Sequence, residues 1–396
     1  MSHPSPSQES GSGIAARRVS LRMPDTLNEL KRLCEQTTTS SDYKLASSIT
    51  SNVPHYDLSS FSSSDTEAVS QLQDEWYEVL SLGPGVLILQ NFITDHSLLE
   101  QTNQVYDAII AREAASAKGD HFATSGANSR IWNSFQKHAE QDPASFVAYY
   151  ANPWLARVSE AWLGPAYQVT AQVNVVRPGG KAQEAHRDYH LGFQSDAACG
   201  RFPRSMHVAS QFLTLQGGIA HSAMPPASGP TRVLPFSQLL PEGYLAWRDP
   251  GVRAFFDARW VSAPLRAGDA VFFNPALLHA AGENTTADVQ RIGNLVQISS
   301  AFGRPMEHVN NAKMIRACWE HVRALAAEGK SEQTKACVSA LAGGYPFPTN
   351  LDKQQPGAGG MAPPSEADIL WEGLEKGWDT DQVIAAVEQL KADSTY

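Results

Sequence analysis

The chain has 396 residues, 31 Lys and Arg against 41 Asp and Glu, a net charge of −10 and 42% hydrophobic side chains. No run approaches the roughly 18–20 consecutive apolar residues of a membrane span, and so acidic a chain lacks the cationic surface that binds a phosphate backbone. Cys34, Cys199, Cys318 and Cys337 include no CxxC pair, which argues against a disulfide framework or a thiolate zinc site. The start, MSHPSPSQESGSG, has no apolar signal core, so the expected location is cytoplasmic.

In chain order, residues 1–20 are rich in Ser, Pro and Gly and predict a mobile segment. A helix is expected from Asp25, which stands as a candidate cap before Leu27, Leu30 and Leu33. Residues 35–65 read as an irregular covering segment because of their Ser and Thr runs. Val69, Leu72, Trp76, Val79 and Leu80 keep helical spacing until Gly83-Pro84-Gly85 stops them. VLILQNFI then predicts a buried strand. Helices are expected over about 96–115 and 143–163.

From Gln168 to about Phe302 the pattern changes to short β-rich runs between Pro and Gly turns. The runs are QVTAQVNVV before RPGG, MHVASQFLTL before QGG, TRVLPF, AVFFNP and RIGNLVQISSAF. Helices resume after Gly303, where Met314, Ala317, Cys318, His321, Val322 and Leu325 share a face, and one or two terminal helices are expected over 365–392. Strands grouped between helices imply an α+β chain with a mainly β core, an antiparallel sandwich or barrel clad by helices. The domain reading is a partly disordered extension over 1–65, one domain over 66–345 with its β core at about 168–303, and a linker with a helical extension over 346–396.

The most informative stretch is Ala185-His186-Arg187-Asp188-Tyr189-His190. On a strand, His186 and Asp188 project to one face about 6.5–7 Å apart. With one distant histidine they make a 2-His-1-carboxylate set, which leaves open positions on a divalent iron. His279 is the candidate third ligand. His190 is a rival, but positions i and i+4 on a strand lie about 13 Å apart, too far to share a metal; it is assigned to the pocket wall or to a structural role.

A hairpin centred on residue 285 would place His279 opposite Arg291, roughly 5 Å apart. An arginine there suits a carboxylate held in a two-pronged fork, and a short dicarboxylate such as 2-oxoglutarate is the natural candidate.

These residues resemble the phytanoyl-CoA dioxygenase family of Fe(II)- and 2-oxoglutarate-dependent oxygenases. The matching blocks are His186-Arg187-Asp188, Gly229 to Ser237, and Gly268-Asp269 through His279 to Arg291. The resemblance implies a double-stranded β-helix, the jelly-roll of cupins. It implies His186, Asp188 and His279 as iron ligands and Arg291 as partner of the distal carboxylate of 2-oxoglutarate, with Gln183 and Thr231 as further co-substrate contacts. It also implies O2 as oxidant, a small organic substrate oxidised at a C–H bond, and release of succinate and CO2. Ser228 and Gln238 depart from the family's usual Asn and His. Retention of Asp188 favours oxygenation over halogenation. Asn174, Tyr189, His190, Gln211 and His221 are candidate substrate contacts, with Arg130, Trp132 and Asn133 from an N-terminal lid. A cupin-like metal enzyme without 2-oxoglutarate and a non-catalytic β-sandwich module stand as alternatives, and the oligomeric state, monomer or homodimer, is open.

Overall fold

The structure, a computed structural model, describes residues 16–114, 128–345, 347 and 349–395. The first part contains α1 (Asp25–Leu33), β1 (Ser48–Thr50), β2 (Val53–Asp57), α2 (Thr66–Ser81), β3 (Val86–Gln90), α3 (His96–Ala114), β4 (Asn128–Ile131), α4 (Ser134–Gln141), α5 (Pro143–Tyr150) and α6 (Pro153–Leu163). The middle contains β5 (Tyr167–Val176), α7 (Asp196–Cys199), α8 (Arg204–Ser210), β6 (Thr214–Ala220), β7 (Thr231–Val233), α9 (Gly243–Ala246), α10 (Pro250–Arg259), β8 (Val261–Ser262), β9 (Ala270–Phe273), β10 (His279–Ala281) and β11 (Arg291–Ser300). Four helices close the chain: α11 (Asn311–Ala327), α12 (Ser331–Leu341), α13 (Glu366–Lys376) and α14 (Thr380–Asp393).

The strands form a jelly-roll of two unequal walls. The major sheet has eight strands in the order β1-β2-β3-β9-β6-β11-β5-β4, antiparallel except where β2 meets β3. The minor sheet has three, β10-β7-β8, extended by a bridge between His186 and His279. Alternation along each strand assigns the faces of the major sheet. Val169, Ala171, Leu215, Ile219, Phe272, Val296 and Ile298 join the main core with α2, α5, α6 and α11 to α14. Gln172, Asn174, Gln216, Phe273, Arg291 and Gln297 turn instead to a cavity of about 500 Å3 that the minor sheet also lines.

Helix α2 illustrates the local logic. Asp65 accepts a hydrogen bond from the Ala68 amide and satisfies an otherwise unpaired N–H at the helix start. Its apolar stripe buries Val69, Leu72, Trp76, Val79 and Leu80, with Trp76 edge-on to both Tyr56 and Trp154.

Several expectations are corrected. The segment over 35–65 is not irregular: β1 and β2 complete one edge of the major sheet. Residues 1–15 of the expected mobile start lie outside the described residues, but Val19 is buried and the Arg204 amide donates to the Arg17 carbonyl, so that part is docked. Asp25 is the first residue of α1 and does not cap it; Pro24 holds that position. The helix expected over 143–163 is two, because Asn152 caps a new start at Pro153. MHVASQFLTL is mostly α8 and a 3-10 turn, since Pro203 stands at a helix start and no β-branched residue precedes Val208. QGG is no turn but the middle of β6. A Cβ on Gly217 would lie 2.6 Å from the Phe272 ring, so close packing of sheet and core demands glycine there.

The N-terminal helix has an unexpected position. Leu30 and Leu33 of α1 share one apolar cluster with Ala185, Leu278 and Ala280, the neighbours of His186 and His279.

Candidate metal centre

His186 and Asp188 follow the loop after β5. The His186 amide donates to the His279 carbonyl and the His279 amide returns a bond to the His186 carbonyl, which fixes the two histidines side by side. The Asp188 amide donates to the Pro275 carbonyl. Tyr189 and His190 then take positive φ values of 56° and 46°, a conformation unusual for residues with side chains, and the chain turns away.

One ligand atom from each of His186, Asp188 and His279 lies within 4.8 Å of the others. His279 Nε2 is 3.3 Å from Asp188 Oδ2, and His186 Nε2 is 3.6 Å from Asp188 Oδ1. Each imidazole donates its Nδ1–H to a backbone carbonyl, His186 to Glu184 at 2.8 Å and His279 to Leu277 at 2.9 Å. A carbonyl only accepts, so Nδ1 of each ring is a protonated nitrogen and Nε2 is the one left facing the carboxylate, where a metal would take the place of any proton. That is the ring orientation a metal needs, fixed by neighbours before any metal binds.

Burial raises the Asp188 carboxyl, but the His279 hydrogen bond, the His279 and His186 charges and the Gln216 donor outweigh it and hold the group at about 2. Burial and the neighbouring His279 keep His186 below the ordinary histidine value. The set therefore presents an ionised carboxylate beside the Nε2 atoms of two imidazoles, a donor set that fits a divalent transition metal.

Arg187, between the two ligands, faces the opposite way. Its guanidinium, fully buried, donates to the carbonyls of Ser237 and Leu240 and lies over the Tyr244 ring. Burial lowers it to about 10. The middle residue of the motif thus bolts the ligand segment to the loop behind it.

Arg291 opens β11 and is 6% exposed. Its Nη1 donates to the Ser228 carbonyl at 3.2 Å, and no ion pair forms with it among the described residues. Burial alone lowers it to about 10. A buried guanidinium on a cavity wall without a carboxylate is strongly suited to an incoming anion.

The expected hairpin between His279 and Arg291 does not exist. β10 pairs with β7 in the minor sheet, and β11 lies between β5 and β6 in the major one. The cause is Asn284, buried in the connection, whose side chain donates to the Val176 and Val289 carbonyls and holds the crossover against β5. Both residues still line the same cavity, from opposite walls.

Gln183 lines the cavity, and its Oε1 accepts from the Ala281 amide at 3.1 Å, so the side chain also stitches the ligand segment to β10. Thr231 opens β7 opposite Ala281 and lines the cavity. Asn174, Tyr189, Arg130 and Trp132 line it too. His190, Gln211, His221 and Asn133 are not among its lining residues. His221 is on the helical side, where its Nε2 meets the Tyr149 hydroxyl at 2.7 Å; Gln211 accepts from Asn274; Asn133 starts α4. Sequence reasoning missed Arg187, Gln172, Gln216 and Gln297. Gln216 donates from Nε2 to Asp188 Oδ2 at 2.6 Å and so orients the ligand carboxylate.

The sequence profile of the phytanoyl-CoA dioxygenase (PhyH) family matches residues 83–293. The chain belongs to that family. None of the curated proteins compared matches the chain. Among solved structures, the chain is similar to the non-heme alpha ketoglutarate dependent epimerase SnoN from nogalamycin biosynthesis at 18% identity, with 60% of this chain and 85% of that one covered and a TM-score of 0.43. It is similar to the carbocyclase SnoK from the same biosynthesis at 18% identity, with 61% and 87% covered and a TM-score of 0.42. EvdMO1 matches at 18% identity over 57% of this chain and 49% of that one, with a TM-score of 0.42. Membership in an oxygenase family rests on the profile match and agrees with the ligand set. Among the described residues, no helix is long and apolar enough to cross a membrane.

Proposed function

We propose that this chain is an Fe(II)- and 2-oxoglutarate-dependent dioxygenase that oxidises a C–H bond of a small organic substrate and releases succinate and CO2. The observation that carries the reading is the pairing of the His186, Asp188, His279 set with a buried Arg291 that has no ion pair among the described residues, in one cavity. The set would hold iron through two Nε2 atoms and one carboxylate. When bound, the iron and its keto-acid co-substrate supply the activation of O2 that side chains cannot perform.

The chain's own residues position and protect. Arg291 would grip the distal carboxylate in a fork, with Thr231 and Gln183 beside it, so the keto-acid end is presented to the ligand set in one orientation. Val271, Phe273, Leu265 and Met224 make that part of the cavity apolar and strengthen the charge contact by excluding water. Gln216 and the two backbone-tied imidazoles keep the ligands preorganised. The expected setting is a cytoplasmic enzyme with a small-molecule substrate and neither nucleic acid nor membrane as partner.

The test is anaerobic addition of Fe(II) and then 2-oxoglutarate to the purified chain. The expected result is one equivalent of each bound, with a weak visible charge-transfer band, and succinate formed in step with substrate loss on admitting O2. A chain that binds iron but never 2-oxoglutarate would be a cupin-like enzyme of another kind.

A further inference from the structure

The major-sheet wall of the cavity holds two hydrogen-bond acceptors for which no donor is found among the described residues. Gln216 on β6 and Gln297 on β11 are directly paired across the sheet, so their Cβ atoms lie roughly 5 Å apart. Both line the cavity, and they are only 4% and 7% exposed. The Gln216 amide has a determined orientation, because its Nε2 donates to the Asp188 carboxylate, which can only accept. Its Oε1 therefore faces away from Asp188. That oxygen and Gln297 Oε1 are both buried without a hydrogen-bond partner among the described residues. Interiors seldom strand such groups, and two side by side on a cavity wall call for a donor from within the cavity.

Their place separates them from the co-substrate anchor. Along β11, Arg291 and Gln297 are six residues apart, roughly 20 Å on an extended strand. Asp188 meets this wall at Gln216, and the Arg291 side chain and the co-substrate would together span the interval between the two ends. Between them the same face of β11 carries Gly293 and Leu295, with Gly218 of β6 beside Leu295. The same cavity is also lined by the aromatic and apolar Tyr189, Phe193, Trp132 and Met306, of which Phe193 is 61% exposed.

Charge narrows the donor. In the loaded site Arg291 and a divalent metal would be balanced by the Asp188 carboxylate and the co-substrate dianion, so a substrate ammonium would be buried there without a counter-charge, a cost that a neutral hydroxyl does not carry.

We propose that Gln216 and Gln297 form a hydroxyl-reading subsite. The substrate is a neutral, amphipathic alcohol or diol whose O–H groups donate to the two carboxamide oxygens, with its apolar body against Phe193, Trp132 and Met306. The inference rests on the oxygenase reading, because it takes the C–H bonds beside those hydroxyls to be the ones presented to the ligand set.

The probes are octane-1,2-diol, its dimethyl ether 1,2-dimethoxyoctane, and octane-1,2-diamine, titrated calorimetrically into the full chain loaded anaerobically with Fe(II) and 2-oxoglutarate. The diol is expected to bind about tenfold tighter than the ether or the diamine, as two hydrogen bonds allow. In Gln297→Leu that preference is expected to shrink to less than about threefold; Gln297→Met serves if melting shows the leucine variant unfolded. A diol that binds no better than its ether means that ordered water satisfies the glutamines and overturns the proposal. So does preference for the diamine, or a preference unchanged in the Gln297 variants. In each case 2-oxoglutarate binding in the preceding titration shows that the oxygenase reading stands. Failure of 2-oxoglutarate itself to bind overturns both.

Discussion

The two walls of the cavity differ in length and in task. The minor wall is made of strands of two or three residues and carries His186, Asp188, His279 and Thr231 on or beside them. The major wall is made of strands of up to ten residues and carries Gln172, Asn174, Gln216, Arg291 and Gln297. The candidate metal ligands come from one side, and Arg291 and the glutamines of the proposed recognition surface from the other. Short strands tied by a few defined hydrogen bonds can set three ligands within 4.8 Å, while long strands provide a ruler along which different groups meet different parts of the bound molecules.

The sharpest way to break this division is to remove a minor-wall ligand. His186→Ala or Asp188→Ala is expected to abolish iron binding and substrate-coupled succinate release, with far-UV circular dichroism unchanged. Iron retained at full stoichiometry in both would move the metal elsewhere. Next in size is Arg291→Ala on the major wall. It is expected to raise the 2-oxoglutarate concentration needed for half-maximal turnover by about a hundredfold, the scale of a lost charge-assisted pair, while iron affinity changes little. Equal damage to iron affinity would erase the contrast between the walls.

Gln216 is where the walls touch, and Gln216→Leu is expected to weaken iron binding by about ten- to a hundredfold, as other supporting contacts do. Competition with a chelator of known affinity measures this. The far side of the major sheet gives a smaller, pH-dependent effect. Burial depresses His138 to about 4, and burial with the nearby His138 depresses His221 to about 3. The unfolded chain takes up these protons near pH 6.5 and the native one does not. Stability is therefore complete above about 6.5 and falls as pH drops toward the depressed values, by about 1.4 kcal/mol per unit for each histidine. Urea midpoints between pH 7 and pH 5 are expected to decline, and His221→Gln to flatten the decline. The smallest effect is expected for His190→Ala, below about threefold in turnover, since its side chain lies off the cavity.

The same division explains what could be read in advance. The major-sheet strands were legible because runs such as QVTAQVNVV are long, β-branched and bounded by turns. His186, Asp188 and His279 were legible because a metal site needs particular residue types at particular spacing. The pairing of strands was not: nothing local distinguishes a hairpin at 279–291 from a crossover, and the choice lies with Asn284 bonding to β5. Gln216 stayed hidden behind its two glycines. Gln-Gly-Gly has turn composition, and only the Phe272 ring against Gly217 makes it a strand. Gln297 lies in a run whose strand was plain but whose facing residue across the sheet was not. The strands β1 and β2 were masked by Ser and Thr runs whose few apolar residues, Val53 and Tyr56, are nevertheless buried.

Helix α1 extends the machinery of the site beyond its family boundary. The family match begins at residue 83, yet Leu30 and Leu33 support the residues flanking both ligand histidines from behind, and Arg187 is anchored to the loop that the same helix covers. Removal of α1 alone would leave every candidate ligand and the arginine in the chain but expose the back of the segments that aim them. Its loss would resemble a hinge freed on one side, with metal affinity failing before the sheet does.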